Sequence, residues 1–467
     1  MNKNDILTVD IIDNGIEFEG IAKSDNTVIF VPNTIEGENV DVRVIKVNSK
    51  YAIGKIENIN KKSKKRTEGT MCPVAKSCGG CTAQHIKYDS QLVMKTKIVE
   101  NILKKQNVEY EILNNIIGMG LPYYYRNKVQ YPVRNIMGEN KIGFYLKRSH
   151  NIIENSCCYI QNRVIDMLAK LIFDKLIEAG YSGYNEENFS GDIRHIVIKR
   201  GYFTSEIMII IIVNNKELVK DYRFKKIIED LDNPHIKGVF INVNNQNTNE
   251  ILGEETVCIF GDKYISDKIE DYTFYISPKS FFQVNTVQAN MLYNVLKENL
   301  NLKNTDILFD LYSGVGSIGI FLSNMVSKVY GIEIEKEAVE MANKNIAINS
   351  INNCEYIAGS VEEKIEEFKN RKIKPTVIVV DPPRKGLDSK SIEYILEFNP
   401  EKIGYVSCNP ATLARDLKLF GLKYKVLSIT PVDMFPHTSH VECVVVLNLK
   451  ESFKTRDISQ KTDCTEK

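Results

Sequence analysis

Cys408 is the residue whose position best suits covalent chemistry. An apolar run from Ile403 to Val406 leads to Cys408, and Asn409-Pro410 follows. A proline disfavours helical angles in the residue before it, so a strand is predicted to end here in a turn. Ligands of open α/β sheets bind outside the carboxyl ends of the parallel strands. Cys408 is therefore a candidate nucleophile, although a lone cysteine is more often a small buried hydrophobic residue.

Carboxylates stand at two other predicted strand boundaries. Asp381 opens Asp-Pro-Pro directly after a β-rich stretch at 376–380, and Glu442 opens the last predicted strand. A thiol and a carboxylate beside a methyl donor suit methylation of C5 of a pyrimidine: a thiolate adds to C6, C5 takes the methyl group, and a base then removes the C5 proton. Taken singly, Asp381 also fits a turn cap, and Glu442 also fits a solvated charge.

A glycine-rich turn provides the candidate cofactor site. Gly314-x-Gly316-x-x-Gly319 follows a predicted strand at 307–311 and opens a helix, and Glu333 ends the next strand. This arrangement is typical of nucleotide binding, with the acidic residue on the ribose hydroxyls. The motif alone does not separate NAD from S-adenosylmethionine, and a plain tight turn is the structural alternative.

Three closely spaced cysteines, Cys72, Cys78 and Cys81, predict a metal site. They form C-x5-C-x2-C, with two glycines before the third. Glycines let backbone N–H groups approach cluster sulfurs, and either Cys157 or Cys158 would complete a four-thiolate set. Zinc also accepts four cysteines, so both kinds of site remain open at this point.

Composition predicts a multidomain cytoplasmic protein without a membrane segment. The 467 residues suggest about three domains at roughly 100–200 residues each. Basic and acidic residues nearly cancel, at 61 and 60, so the net charge identifies no partner. The longest apolar run, from Ile207 to Val213, is far shorter than the ~20 residues needed to span a bilayer.

Three segments must position these residues. Short turn-bounded strands at 1–60 predict an OB-like barrel, and the basic run at 61–66 fits either a solvated linker or a phosphate contact. Residues 61–289 predict a central α+β domain, in which aromatic and basic residues alternate at 123–128 as for stacking on unpaired bases. Residues 290–467 alternate strands and helices, which predicts a doubly wound parallel sheet closed by a late antiparallel strand.

Together these motifs resemble the bacterial RNA (uracil-5-)-methyltransferases, a family acting on 23S ribosomal RNA or tRNA whose members carry an iron–sulfur cluster. The resemblance covers almost the whole chain. It implies an N-terminal TRAM-type barrel, a central α+β domain and a C-terminal Rossmann-like methyltransferase domain. It also implies S-adenosylmethionine and a [4Fe-4S] cluster as cofactors, RNA as the partner, and a monomer.

The resemblance extends to single positions. Cys72, Cys78 and Cys81 match the closely spaced cluster ligands, and Cys158 matches the fourth ligand better than Cys157 does. Cys408 matches the nucleophile and Glu442 the base. Besides Gly314 of the glycine turn, the cofactor positions are matched by Gln283, Tyr312, Glu333 and Asp381.

We therefore expect methylation of C5 of uridine in RNA, with 23S ribosomal RNA as the first substrate and tRNA as the alternative. A second hypothesis is a cluster-bearing RNA-binding or redox-sensing protein with an inactive methyltransferase fold, which the intact Cys408 and Glu442 disfavour. A third, an NAD oxidoreductase, explains neither Cys408 nor the barrel.

Overall fold

The N-terminal strands form one antiparallel-rich sheet in the computed structural model, which describes residues 1–454; residues 455–467 of the predicted C-terminal domain lie outside the described residues. The strand at 39–47 alternates outward polar and buried apolar side chains over its first six residues, as a curved sheet with one core face requires. The sheet order is β1-β5-β6-β4-β3-β2. The strands are β1 (Ile6–Asp10), β2 (Asp13–Asn14), β3 (Gly20–Ser24), β4 (Thr27–Val31), β5 (Asn39–Val47) and β6 (Tyr51–Lys61).

The basic run after β6 is partly consumed by ion pairs. Arg66 donates through Nε and Nη2 to the buried carboxylate of Glu38, at 2.5 and 2.8 Å, and Lys65 pairs with Glu36 at 2.8 Å. Lys65 and Arg66 of this run therefore fasten the N-terminal sheet to the next segment.

The central segment is built around a six-stranded sheet of order β15-β14-β13-β12-β8-β9. Its apolar strand at 207–213 is fully buried, so this run is core. No helix within residues 1–454 is long and apolar enough to cross a bilayer. The helices are α1 (Tyr88–Lys105), α2 (Arg163–Glu178) and α3 (Tyr222–Glu229). The strands are β7 (Tyr110–Leu113), β8 (Lys128–Ile136), β9 (Glu139–Ile142), β10 (Phe144–Tyr145), β11 (Ile152–Ile153), β12 (Ile193–Arg200), β13 (Ile207–Val213), β14 (Ile236–Val243), β15 (Glu255–Gly261), β16 (Ile265–Ile269) and β17 (Tyr272–Ile276).

The C-terminal segment is the predicted α/β layer, a sheet of order β20-β19-β18-β21-β22-β24-β23-β7. Its first five strands in that order are parallel, and β24 runs antiparallel between β22 and β23. The helices are α4 (Thr286–Asn299), α5 (Ser317–Leu322), α6 (Lys336–Ile348), α7 (Val361–Asn370), α8 (Ser389–Phe398), α9 (Pro410–Phe420) and α10 (Glu451–Lys454). The strands are β18 (Ile307–Leu311), β19 (Lys328–Glu333), β20 (Cys354–Ala358), β21 (Val377–Val380), β22 (Lys402–Ser407), β23 (Tyr424–Val432) and β24 (Glu442–Leu449).

The edge of this sheet differs from the sequence prediction. The strand at 442–449 does not close the sheet, because β23 and then β7 lie beyond it. β7 comes from the segment predicted as the central domain and pairs in parallel with β23. A four-residue strand far away in the chain leaves almost no periodic pattern to detect. The division into 1–60, 61–289 and 290–467 remains a prediction.

Candidate active site

Four predicted site residues lie at one edge of the C-terminal sheet. Tyr312 follows β18, Glu333 ends β19, Asp381 follows β21, and Cys408 follows β22. These strands are parallel neighbours in the order β19-β18-β21-β22, so their carboxyl ends meet. The sequence prediction of a common strand-end site is therefore consistent with the topology.

The antiparallel strand β24 brings Glu442 to the same edge. Ser407, the last residue of β22, pairs with Cys443, so Glu442 begins β24 beside the end of the Cys408 strand. The Glu442 side chain is buried, and burial, reinforced by the neighbouring Asp381, raises the pKa of its carboxyl to about 8. Burial alone raises the pKa of Asp381 to about 7. Such carboxyls are suited to holding or accepting a proton near neutral pH.

Cys408 sits half-buried at the turn that the Asn-Pro dipeptide predicted. Asn409 caps α9 by accepting from the Ala411 N–H at 3.0 Å, and Pro410 occupies the first turn. Burial, then the charges of Glu442 and Asp381, raise the pKa of the Cys408 thiol to about 11. A thiol and two carboxyls thus influence one another electrostatically at this edge.

Arg384 is the cation that opposes this effect. Its charge lowers the pKa of both Cys408 and Glu442, against the larger effect of burial. The Arg384 carbonyl accepts from Asn409 Nδ2 at 3.2 Å and from Thr412 Oγ1 at 3.3 Å. The loop after Asp381 is therefore fixed to the helix that follows the nucleophile.

The glycine turn after β18 forms a cradle that is open at Gly314, where a Cβ would meet nothing within 4 Å. Gly314 and Gly316 have left-handed φ angles of 55° and 80°, and a Cβ on Gly316 would lie 2.7 Å from the Tyr356 ring. Glu333 Oε2 accepts from the Gly314 N–H at 2.9 Å. The acidic residue and the glycine turn predicted for the ribose are therefore in direct contact.

Two predicted cofactor residues are fixed by contacts with residues outside the glycine turn. Tyr312 has a left-handed φ of 61°, unusual for a residue with a side chain, and its hydroxyl lies 2.9 Å from Ser391 Oγ. Gln283 is buried in the segment that leads into α4, and its carbonyl accepts from Asn127 Nδ2 at 2.9 Å.

Sequence reasoning missed Asp310 and Tyr293. Asp310 Oδ2 accepts from the Gly319 N–H at 2.9 Å, whereas its buried Oδ1 has no hydrogen-bond partner within the described residues. Burial raises the pKa of Asp310 to about 7. Tyr293 on α4 forms a hydrogen bond with Ser317 Oγ at 2.8 Å. Burial raises the pKa of Tyr293, and the charges of Asp381, Asp310 and Glu442 raise it further. A charged residue inside the apolar stretch 307–311 was the available signal for Asp310.

A segment that we call the strap, residues 433–437, leads from β23 toward Glu442. Each of its five backbone carbonyls accepts a hydrogen bond from a residue distant in the chain. In order from 433 to 437, the donors are Gln288 Nε2, Asn285 Nδ2, Lys95 Nζ, Tyr125 Oη and the N–H groups of Thr82 and Ala83. The approach to the candidate base is therefore fixed from α4, α1 and the cysteine-rich segment.

A buried ion pair holds the start of the strap. Lys95 Nζ lies 2.5 Å from Asp433 Oδ1, and both side chains are fully buried. Tyr88 donates to the other oxygen, Asp433 Oδ2, at 2.8 Å. Burial lowers the pKa of Lys95, while Asp433 acts in the opposite direction. Nothing in the local sequence of either partner indicated this pairing.

Comparison with known proteins identifies the family. The TRAM domain model matches residues 2–56, and the tRNA (Uracil-5-)-methyltransferase model matches residues 201–450, more than half of the chain. The chain belongs to this uracil-5-methyltransferase family. It is 43% identical to an uncharacterized RNA methyltransferase of Oceanobacillus iheyensis, over 97% of this chain and 98% of that one. A Clostridium acetobutylicum relative with the same description is also 43% identical, over 96% and 98%.

A solved structure supports the same assignment. The Pyrococcus abyssi tRNA (uracil-54, C5)-methyltransferase, in complex with S-adenosyl-L-homocysteine, is 27% identical and superimposes with a TM-score of 0.75. The match covers 94% of this chain and 100% of that one. The predicted fold is confirmed: an N-terminal TRAM domain and a Rossmann-like, S-adenosylmethionine-dependent methyltransferase domain. The family's substrate is RNA.

The iron–sulfur prediction for this methyltransferase is not confirmed. Within residues 1–454, no group of three or more His, Cys, Asp or Glu side chains is placed to hold a metal ion. The four predicted ligands nevertheless line one cavity of about 680 Å³. We call this the cysteine cavity; its predicted ligands are Cys72, Cys78, Cys81 and Cys158.

The donor groups around the cysteine cavity suit thiolate sulfur. The Gly80 N–H donates to Cys78 Sγ at 3.4 Å, Gln84 Nε2 to Cys81 Sγ at 3.4 Å, and Asn155 Nδ2 to Cys72 Sγ at 3.7 Å. Hydrogen bonds of this kind stabilise and tune cluster sulfurs. Cys157 is not among the residues that line the cavity, which favours Cys158 as the fourth ligand.

Proposed function

We propose that this chain methylates C5 of a uridine in RNA through a covalent adduct, with Cys408 as the nucleophile and Glu442 as the base. The observation that carries the proposal is the pairing of β22 with β24, which brings the thiol and a buried carboxyl to the edge of the sheet that also carries the glycine turn. A purely RNA-binding protein would have no use for this pair.

The residues would act in a fixed order. The Cys408 thiolate adds to C6 of the uracil ring, which makes C5 nucleophilic, and C5 takes the methyl group. The Glu442 carboxylate then removes the C5 proton, the C6–S bond breaks, and the sulfur leaves with the bond's electron pair. Arg384 favours both the thiolate and the carboxylate, because its charge lowers the pKa of each.

Gln283, Tyr312, Gly314, Glu333 and Asp381 are proposed to bind S-adenosylmethionine. The methyl donor supplies an electrophilic methyl group when bound. The fit is supported by the buried Asp310 oxygen that has no partner among the described residues and by the open space at Gly314, where a Cβ would meet nothing within 4 Å. Glu333 accepts a hydrogen bond from the Gly314 N–H and would orient the ribose.

The direct test is transfer of label from radioactive S-adenosylmethionine to unmodified RNA. We expect label in 5-methyluridine with the wild type. Label appearing in another nucleoside, or none in any RNA, would overturn the proposal.

We propose 23S ribosomal RNA as the substrate, with tRNA as the alternative, and a monomer acting in the cytoplasm. The rRNA proposal rests on the resemblance of the whole chain to the bacterial family that acts on 23S ribosomal RNA or tRNA. The tRNA alternative is favoured by the Pyrococcus abyssi structure, whose own substrate is tRNA. Mapping 5-methyluridine in both RNA classes of a deletion strain decides between them, since only the substrate class loses the modification.

We propose that the cysteine cavity holds a [4Fe-4S] cluster bound by its four cysteines. Protein purified without oxygen should be brown and contain about four irons per chain. Cys158→Ser should bleach it, whereas Cys157→Ser is the matched control and should retain the iron. A colourless anaerobic preparation that contains zinc would contradict the proposal.

A further inference from the structure

The tip of the hairpin between β12 and β13 carries two exposed aromatic side chains. Tyr202 is 38% exposed and Phe203 is 55% exposed, and their rings meet edge to face with centroids 5.0 Å apart. Exposed aromatic rings at a hairpin tip do not contribute to a core. Aromatic side chains in such positions commonly stack on the unpaired bases of RNA.

This tip is held rigidly by groups that are otherwise costly to bury. Asp267 is fully buried; its Oδ1 accepts from the Phe203 N–H at 2.9 Å, and its Oδ2 accepts from Thr286 Oγ1 at 2.8 Å. Gly201 has no room for a side chain, since a Cβ would lie 2.3 Å from the Ser266 carbonyl. Burying a carboxylate to fix an exposed pair of rings gives a pre-organised surface, which loses little entropy on binding.

The tip lies at the end of β12 that adjoins the segment leading to Gln283. Lys199 pairs with Lys128 across β12 and β8, and the Arg200 N–H donates to the Asn127 carbonyl at 2.8 Å. Asn127 Nδ2 in turn donates to the carbonyl of Gln283, the proposed cofactor residue. The hairpin that carries the aromatic pair is therefore joined to the Gln283 segment through the Arg200 backbone and Asn127.

We propose that Tyr202 and Phe203 form a stacking platform for an unpaired RNA base next to the target uridine. The inference rests on the proposed function, because it takes RNA as the substrate. A uridine that enters a buried site must leave its stack, and its neighbours lose a stacking partner at the same time. A rigid aromatic pair beside the site replaces that partner without selecting a base sequence.

The chain offers matched controls at the opposite end of the same sheet. Phe189 is 51% exposed, and its carbonyl accepts from Asn214 Nδ2, just beyond the far end of β13. Tyr222, 78% exposed, begins α3 in the crossover that leaves that far end. Phe203→Ala is thus compared with Phe189→Ala, and Tyr202→Ala with Tyr222→Ala.

The probe is a set of uridine-containing single-stranded oligoribonucleotides with 2-aminopurine at each position flanking the uridine. With the wild type, fluorescence should be quenched at one flanking position. Phe203→Ala should relieve the quenching and weaken binding about 5- to 150-fold, which is the loss of one stacked base. Phe203→Trp should retain both properties, and the two control variants should bind as the wild type does.

Equal binding and quenching in Phe203→Ala and the wild type would overturn the platform. Equal losses in Phe203→Ala and Phe189→Ala would also overturn it, because the effect would then not be local. Binding is measured without turnover, so the outcome is distinguishable from a failure of the proposed methylation. A wild type that transfers no methyl group but shows Phe203-dependent quenching would reject only the methylation.

Discussion

The C-terminal sheet and the cysteine cavity place their predicted functional groups in different ways. We call the edge of the sheet that carries Cys408 and Glu442 the catalytic edge, after the roles proposed for these residues. At the catalytic edge, each predicted side chain stands at the end of a strand, and hydrogen-bonded pairing of β19, β18, β21, β22 and β24 fixes the spacing. Around the cysteine cavity, loops carry the sulfurs, and among these cysteines Cys78 forms an isolated bridge with Leu146. Hydrogen-bonded strands can hold reactive side chains in position without a ligand, whereas side chains on loops depend on the group that they bind.

The largest effect is expected from Cys408→Ala. Removing a covalent nucleophile should lower turnover on the order of 10⁶-fold, because no other group carries the addition to C6. Cofactor binding should persist, since the strands keep the edge intact. With 5-fluorouridine-substituted RNA, the wild type should form a covalent adduct visible in a denaturing gel. Cys443→Ala, which changes a buried neighbouring thiol, is the control; an adduct in Cys408→Ala would remove the residue from this role.

Glu442→Gln should act at a later step. The amide keeps the shape of the side chain but cannot accept the C5 proton, so turnover should fall about 10²–10⁴-fold. On ordinary uridine, a protein–RNA adduct that already carries the methyl group at C5 should accumulate. Mass spectrometry of the adduct, after a nuclease has removed the remaining RNA, would show it. Wild-type turnover would instead identify another base.

Lys95→Met tests whether the catalytic edge depends on its strands alone. The variant leaves Asp433 buried without its cation, which typically destabilises a protein by about 3–5 kcal/mol. Urea unfolding measures this loss. The Lys95→Met/Asp433→Asn pair should recover part of it, since Tyr88 can still bond to the amide. If Lys95→Met proved as stable as the wild type, the strap would not need its ion pair.

The smallest expected effect is the pH dependence of the rate at which the covalent adduct breaks down to free enzyme and methylated RNA. The pKa of Glu442 is raised to about 8, so below that pH the carboxyl is mostly protonated and cannot act as a base. Resolution of a preformed adduct should rise about tenfold per pH unit and level off near pH 8. The raised pKa of Glu442 also makes the free energy of unfolding depend on pH. Its stabilising contribution is full below the pKa that the carboxyl has in the unfolded chain, and it is lost as the pH rises through 8. A flat rate profile from pH 6 to 8 would contradict the assignment.

The catalytic edge was largely predictable from sequence, and its supports were not. Asn409-Pro410, Asp381-Pro382 and the glycine turn are local signals, and they mark strand ends whatever the remainder of the chain does. The strap depends on partners such as Lys95 and Asp433, which are distant in sequence and individually ordinary. β7 was missed for the same reason, because its pairing with β23 is visible only once the chain has folded.

The hydrogen bonds that the His437 carbonyl accepts have a consequence for folding during synthesis. It accepts from the N–H groups of Thr82 and Ala83, residues that leave the ribosome long before the strap does. Chains are synthesised from the N-terminus, and contacts of such long separation form late. Until the strap emerges, the Lys95 ammonium has no carboxylate to pair with, and the base on β24 does not yet exist. The nascent chain therefore carries the proposed nucleophile before it carries the proposed base, and an adduct would become releasable only after β24 has been synthesised.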